Sequence, residues 1–151
     1  PDKGFFVFCD VPVGVVYRWA PSEPEKVTEF RKLSGHALGT ATDGAGHIYF
    51  AESEDRQITR LTFKDGSLGG VEVLASRYQG KRLNATNDLC VGADGSVYFT
   101  DPSFFTPKAA LELDALAVYK RSPTGELTRL TSELKAPNGI AMGLDGRTLF
   151  W

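Results

Sequence analysis

Apolar and polar residues alternate along this chain in short runs broken by turn residues, and almost no segment carries a helical period. Val15-Val16-Tyr17-Arg18-Trp19, Gln57-Ile58-Thr59-Arg60-Leu61 and Ala117-Val118-Tyr119-Lys120-Arg121 read as half-buried strands. Three Asp-Gly turns each lead into another strand: Asp43-Gly44 into 47–51, Asp94-Gly95 into 96–100 and Asp145-Gly146 into 147–151. Segments 26–30, 70–74 and 126–130 read as closing strands, the last two after turns at Lys64-Asp65-Gly66 and Pro123-Thr124-Gly125. The Asp-Gly pairs recur at a spacing of 51 residues, twice.

Four short strands in each repeat of ~50 residues make a β-propeller blade, which stacks only on its neighbours around a channel. The prediction is therefore an all-β fold, one domain over residues 1–151 with about three four-stranded antiparallel blades. A β-sandwich also has many short strands, but it needs no regular repeat spacing. One longer excursion, Phe104 to Ala117, contains Pro107 and the run Lys108-Ala109-Ala110-Leu111 and predicts a single short helical turn. The chain opens on the turn Pro1-Asp2-Lys3-Gly4 and closes within a strand at Trp151, so it reads as the N-terminal part of a larger propeller.

Composition changes this picture little. Hydrophobic residues at 42% and charged residues at 24% fit a folded, non-disordered chain. A net charge of -2 gives no basic footprint for nucleic acid or an anionic membrane. The longest apolar run, near Phe5, is far short of the ~20 residues of a membrane helix. Cys9 and Cys90 lie far apart in strand-like contexts and read as two buried free thiols, which leaves the compartment open.

Propellers carry their sites on loops at one end of the channel, so the segments just before each innermost strand are the place to look. Asn87 lies seven residues before Asp94, Asn138 seven before Asp145 and His36 seven before Asp43. Matched repeat positions would aim all three at one point on the axis. Amide oxygens are hard neutral donors that suit Ca²⁺ when carboxylates join them, because calcium takes six to eight oxygens. The competing reading is structural: Asn-Asp and Pro-Asn-Gly are common turn sequences in which asparagine tolerates left-handed backbone.

Two stretches carry a resemblance. Lys81-Arg82-Leu83-Asn84-Ala85-Thr86-Asn87-Asp88-Leu89, followed by Asp94-Gly95-Ser96-Val97-Tyr98-Phe99-Thr100-Asp101-Pro102, resembles the central signature of the gluconolactonase, or senescence-marker-protein and luciferin-regenerating-enzyme-like, family. Ala136-Pro137-Asn138-Gly139-Ile140-Ala141 with Asp145-Gly146 resembles its next-blade signature, and Phe8-Cys9-Asp10-Val11-Pro12 with Val16-Tyr17-Arg18-Trp19 resembles its first blade. The resemblance implies a six-bladed propeller with one divalent cation, usually calcium, held by a glutamate, two asparagines and an aspartate. Asn87 and Asn138 match the asparagines; the glutamate is expected before Pro1 and the aspartate after Trp151, with the remaining blades. The implied chemistry is hydrolysis of a sugar-type or other small lactone. The metal polarises the ring carbonyl, and the aspartate outside this chain acts as general base.

The chain also departs from the pattern. Leu38 replaces an asparagine common in bacterial members, and Ala85 replaces an arginine of animal members, a charge that Arg82 is placed to supply. His36 resembles an inward histidine of related lactonases and is the candidate base within the chain, although a loop-capping role competes. Arg82 and Asn84 are the candidate substrate-binding residues, while Asp88 and Asp101 are expected to cap turns or support the site. The competing functional class is a non-catalytic propeller that binds a small ligand or a protein at the channel mouth.

Overall fold

A computed structural model describes residues 4–32, 35–64 and 67–151. The opening turn at Pro1-Asp2-Lys3, Ser34 in the segment that leads to His36 and the turn at Asp65-Gly66 lie outside the described residues. The fold is all-β, as the alternating pattern predicts. One three-stranded sheet holds β1 (Phe6–Asp10), β2 (Val15–Trp19) and β3 (Val27–Arg31). A four-stranded sheet follows with β4 (Ala37–Thr42), β5 (Ile48–Glu52), β6 (Gln57–Lys64) and β7 (Ser67–Ala75). After a small hairpin of β8 (Arg77–Tyr78) and β9 (Lys81–Arg82), the next sheet holds β10 (Leu89–Val91), β11 (Val97–Asp101), β12 (Ala117–Arg121) and β13 (Leu127–Thr131). A last pair, β14 (Ala141–Met142) and β15 (Leu149–Phe150), completes the chain. All pairings are antiparallel between sequential strands. Four strands are thus present in two of the sheets rather than in every unit. The excursion between β11 and β12 contains one short helical turn, Lys108–Ala110, and among the described residues no helix is long and apolar enough to cross a membrane.

The hairpins explain the repeat. Asp43, Asp94 and Asp145 each turn a side-chain oxygen back onto the backbone: Oδ1 accepts from Ala45 and His47 N–H (both 2.9 Å), from Ser96 N–H (2.9 Å), and from Arg147 and Thr148 N–H (3.0 and 2.9 Å). A carboxylate that satisfies turn amides in this way favours the bend over continued strand. The Ser96 amide holds the Asp94 carboxyl below the usual range, and the Thr148 hydroxyl on Asp145 Oδ2 (2.6 Å), together with the turn amides, holds Asp145 at about 2.

The ladder corrects the repeat spacing. The glycine that takes left-handed backbone is Gly46 (φ 79°), Gly95 (φ 80°) and Gly146 (φ 63°), and each donates its N–H three residues back, to Asp43, Gly92 and Gly143. Thr40 pairs Phe50 as Leu89 pairs Phe99. The first two units are therefore offset by 49 residues and the next two by 51. Asp43 begins its turn where Gly92 does, two residues earlier than the Asp-Gly count implies. Leu38, and not His36, stands at the place of Asn87 and Asn138.

Burial follows from the stacking of sheets. In β5, Ile48 and Phe50 face the first sheet with Val16 and Leu61, while Tyr49 and Ala51 face the third with Leu89, Phe99 and Tyr119. All five β5 residues are buried, because this sheet is covered on both faces. The outer face of the first sheet is different: Phe6 and Phe8 stack on Trp19 and Tyr17 (centroids 5.8 Å apart in each pair) yet remain well exposed. Phe150 and Trp151 are also exposed at the opposite end. Cys9 and Cys90 are free but only half-buried, and burial pushes both thiols up to about 11, which keeps them protonated at neutral pH.

Phe50 has no exposed surface whereas Val27 is 53% exposed. Phe50→Ala is expected to destabilise the protein by ~3–5 kcal/mol and Val27→Ala by less than ~0.5 kcal/mol. Denaturant melts of the two variants check this; equal effects would contradict the packing described.

Candidate functional site

β4, β10 and β14 run side by side, so the segments entering them meet at one end of the sheets. β5 and β11, antiparallel to β4 and β10, finish at the same end, at Glu52 and Asp101. The meeting is made by hydrogen bonds across sheets. Gly39 N–H donates to Asn87 O (2.9 Å). Asn87 N–H donates to Thr100 O (3.0 Å), and Thr100 N–H returns to Asp88 O (3.0 Å). The Thr100 hydroxyl accepts from Asp88 N–H (3.1 Å) and donates to Asn138 O (2.5 Å). Asp88 Oδ2 accepts from Ile140 N–H (2.9 Å). Gly39 is needed for the close approach: a Cβ there would lie 2.6 Å from Asp88 Cα and 2.9 Å from Asn87 O.

Asn87 and Asn138 are thus brought together, both bonded through their backbone to Thr100. Asn87 is buried, with 7% of its surface exposed, and Asn138 is exposed. No hydrogen bond joins either side-chain amide to another described residue, and neither belongs to the buried polar atoms left without a partner, so both keep contact with solvent. An amide oxygen without a protein partner is a hard neutral donor of the kind Ca²⁺ takes. Among the described residues no group of three or more His, Cys, Asp or Glu side chains is arranged to hold a metal ion.

His36 sits two residues ahead of Leu38 in left-handed backbone (φ 49°), with Nδ1 3.3 Å from Glu54 Oε2. It keeps 41% of its side chain exposed. Arg82 is half-buried; its Nη2 donates to Asp55 O (3.2 Å) and its N–H to Glu112 Oε2 (2.8 Å). The second bond is the main cause that holds the Glu112 carboxyl below the usual range. Asn84 has no exposed surface, and its Nδ2 donates to Asp101 O (3.3 Å) and Ala115 O (3.0 Å). These contacts tie the excursion between β11 and β12 to the segment that leads into β10. Thr106 adds a bond from its hydroxyl to Asn84 O (2.7 Å).

Beneath this layer lie two buried carboxylates at the ends of β5 and β11. Glu52 accepts from Thr59 Oγ1 (2.8 Å) and Gln57 Nε2 (2.7 Å) and pairs with Arg31. Asp101 accepts from Asn84 N–H through both oxygens (2.9 Å each) and from Ala85 N–H (3.0 Å). Burial nonetheless raises the Asp101 carboxyl to about 7, against the opposing pull of those amides and of Arg56. The sequence flagged Asp88 and Asp101 as supports but gave no sign of Thr100, whose hydroxyl acts only across the fold. The signal available was a polar, hydrogen-bonding residue at the end of an otherwise apolar strand, in Phe99-Thr100-Asp101.

The family model described as SMP-30/Gluconolactonase/LRE-like region matches residues 1–151. A gluconolactonase of Zymomonas mobilis is 29% identical over 99% of this chain and 45% of its own length. A lactonohydrolase of Aspergillus oryzae is 31% identical over 70% of the chain and 27% of its own length. The solved structure of a gluconolactonase of Xanthomonas campestris superposes with a TM-score of 0.85 at 32% identity, covering 98% of this chain and 50% of that one. The chain thus spans about half the length of these gluconolactonases.

Asp101 gives a pH dependence whose sign follows from linkage. Its folded carboxyl titrates near 7 and its unfolded one near ~3.9, so between those values the folded state holds the extra proton and stability falls as pH rises. Asn at this position keeps an oxygen for both backbone amides without the buried charge. Asp101→Asn is therefore expected to gain stability relative to wild type between pH 5 and pH 8, measured by denaturant unfolding. A difference independent of pH would contradict the assignment.

Proposed function

Since the chain belongs to the SMP-30/gluconolactonase/LRE-like family, we propose that it supplies roughly half of a calcium-dependent lactonase built as a six-bladed propeller. The observation that carries this reading is the pair Asn87 and Asn138, held at one end of adjoining sheets with unpaired side-chain amides. Their oxygens are the two neutral ligands of a Ca²⁺ site, and the carboxylates come from blades outside these 151 residues. The relatives named above support a hydrolase that acts on a small lactone, with a sugar lactone as the favoured substrate.

When bound, the cation acts as a Lewis acid that polarises the lactone carbonyl. The reaction is balanced by one water: its hydroxyl joins the carbonyl carbon, the ring C–O bond breaks, and the ring oxygen leaves as a hydroxyl. A general base from the remaining blades would take the water's proton and return it to the departing ring oxygen. From this chain, Arg82 and His36 keep exposed surface at the same end and are assigned to the substrate's hydroxyl groups. Asn84, sealed beneath, serves the substrate indirectly by fixing the segment before β10 that carries Asn87. Leu38, at the third repeat position, adds an apolar wall in place of a third amide.

In the full-length protein, Asn87→Ala and Asn138→Ala are each expected to lower turnover of glucono-δ-lactone by ~10²-fold, and a calcium chelator to abolish it. Full activity of Asn138→Ala at saturating calcium would overturn the ligand assignment. Replacing His36 with Ala is expected to raise the KM for the lactone several-fold with little change in kcat, since a lost hydrogen bond to substrate weakens binding; an unchanged KM returns His36 to a loop-capping role.

A further inference from the structure

The two candidate ligands sit on different sheets, and a cation site tolerates little error in their spacing. The backbone of Asn138 is gripped on both sides. Its carbonyl accepts from the Thr100 hydroxyl (2.5 Å), and the N–H two residues on, at Ile140, donates to Asp88 Oδ2 (2.9 Å). Both gripping groups are themselves fixed to the Asn87 turn. Asp88 is its covalent neighbour, and Thr100 exchanges backbone bonds with Asn87 and Asp88 while its hydroxyl accepts from Asp88 N–H. Thr100 is fully buried, so its hydroxyl has no water to exchange with. Gly39 closes the arrangement from the other side, with no room for a side chain against Asp88.

We propose that Asp88 and Thr100 are positioning residues that together set where Asn138 stands relative to Asn87. We assign neither as a ligand: Asp88 Oδ2 is taken by the Ile140 amide, Oδ1 lies against Gly39, where an added Cβ would come within 2.4 Å of it, and the Thr100 hydroxyl is given to the Asn138 carbonyl. The inference rests on the reading of both asparagines as cation ligands and deepens it. It accounts for an acidic residue and a hydroxyl next to a proposed cation site without counting either as a donor to it. Groups that orient metal ligands typically control affinity by 10–100-fold, which sets the size of the expected effect.

The test is calcium binding by titration calorimetry on the full-length protein, with hydrogen exchange of the Ile140 amide as a readout that needs no activity. Asp88→Ala is expected to weaken calcium binding by ~10-fold or more and to speed exchange at Ile140. Asp88→Asn keeps an acceptor for that amide and is expected to restore both. Thr100→Val, nearly isosteric and thus a check should Asp88→Ala fold poorly, is expected to weaken calcium binding in the same way. Melting temperatures recorded alongside separate positioning from stability, since a purely structural role lowers them without changing calcium affinity. Wild-type affinity in Asp88→Ala or Thr100→Val, beside lost binding in Asn138→Ala, overturns the proposal and leaves the ligand reading intact. Asp88→Asn as weak as Asp88→Ala overturns it in favour of the charge itself as a ligand. Wild-type calcium binding in Asn138→Ala overturns the ligand reading and the proposal with it.

Discussion

A β-sheet with two apolar faces cannot stand alone in water, and the sheet of β4 to β7 is apolar on both. Ile48 and Phe50 need the first sheet, while Tyr49 and Ala51 need the third. Burying both faces forces the sheets to stack in chain order and lines up β4, β10 and β14 at one edge. Everything at the candidate site depends on that alignment, because its residues arrive on separate sheets and meet only where the edges do. The cross-sheet bonds then refine what stacking makes coarse: packing brings the loops within reach, and Gly39, Asp88 and Thr100 fix their register.

The strands were largely legible from alternation. The segments read at Val15–Trp19 and Ala117–Arg121 are strands with those bounds, and the helical turn falls inside the excursion where it was expected. Asp43, Asp94 and Asp145 betrayed the hairpins because a short carboxylate that caps a turn is a local device, and local devices leave local signatures. Register was not legible. The Asp-Gly count treats the three turns as alike, but the first uses Gly46 rather than Gly44 as its left-handed residue. That difference moves the repeat by two positions, which is enough to place Leu38 where His36 was expected. Only the hydrogen-bond ladder distinguishes the two.

The site divides along the same line. Asn87 and Asn138 were readable as a matched pair because they recur at one spacing, and the proposed ligand role draws on the end of the sheets they share. Asn84 was read as a substrate contact from its motif, yet its environment is closed and its Nδ2 donates only to backbone carbonyls. Thr100 was passed over since a threonine at a strand end has no chemistry of its own; its partner lies 38 residues away. A neutral ligand pair also has an electrostatic rationale. Under the proposed assignment, amides would coordinate a cation without the mutual repulsion of two carboxylates and without adding an unpaired buried charge to the fold.

The central claim is that these two amides converge on one cation. Diffraction from crystals of the full-length protein grown with calcium, read through the anomalous signal of the ion, tests it most directly. The account predicts one ion within ~2.3–2.6 Å of the side-chain oxygens of both Asn87 and Asn138. A calcium-saturated crystal with the ion bound to neither asparagine would contradict it.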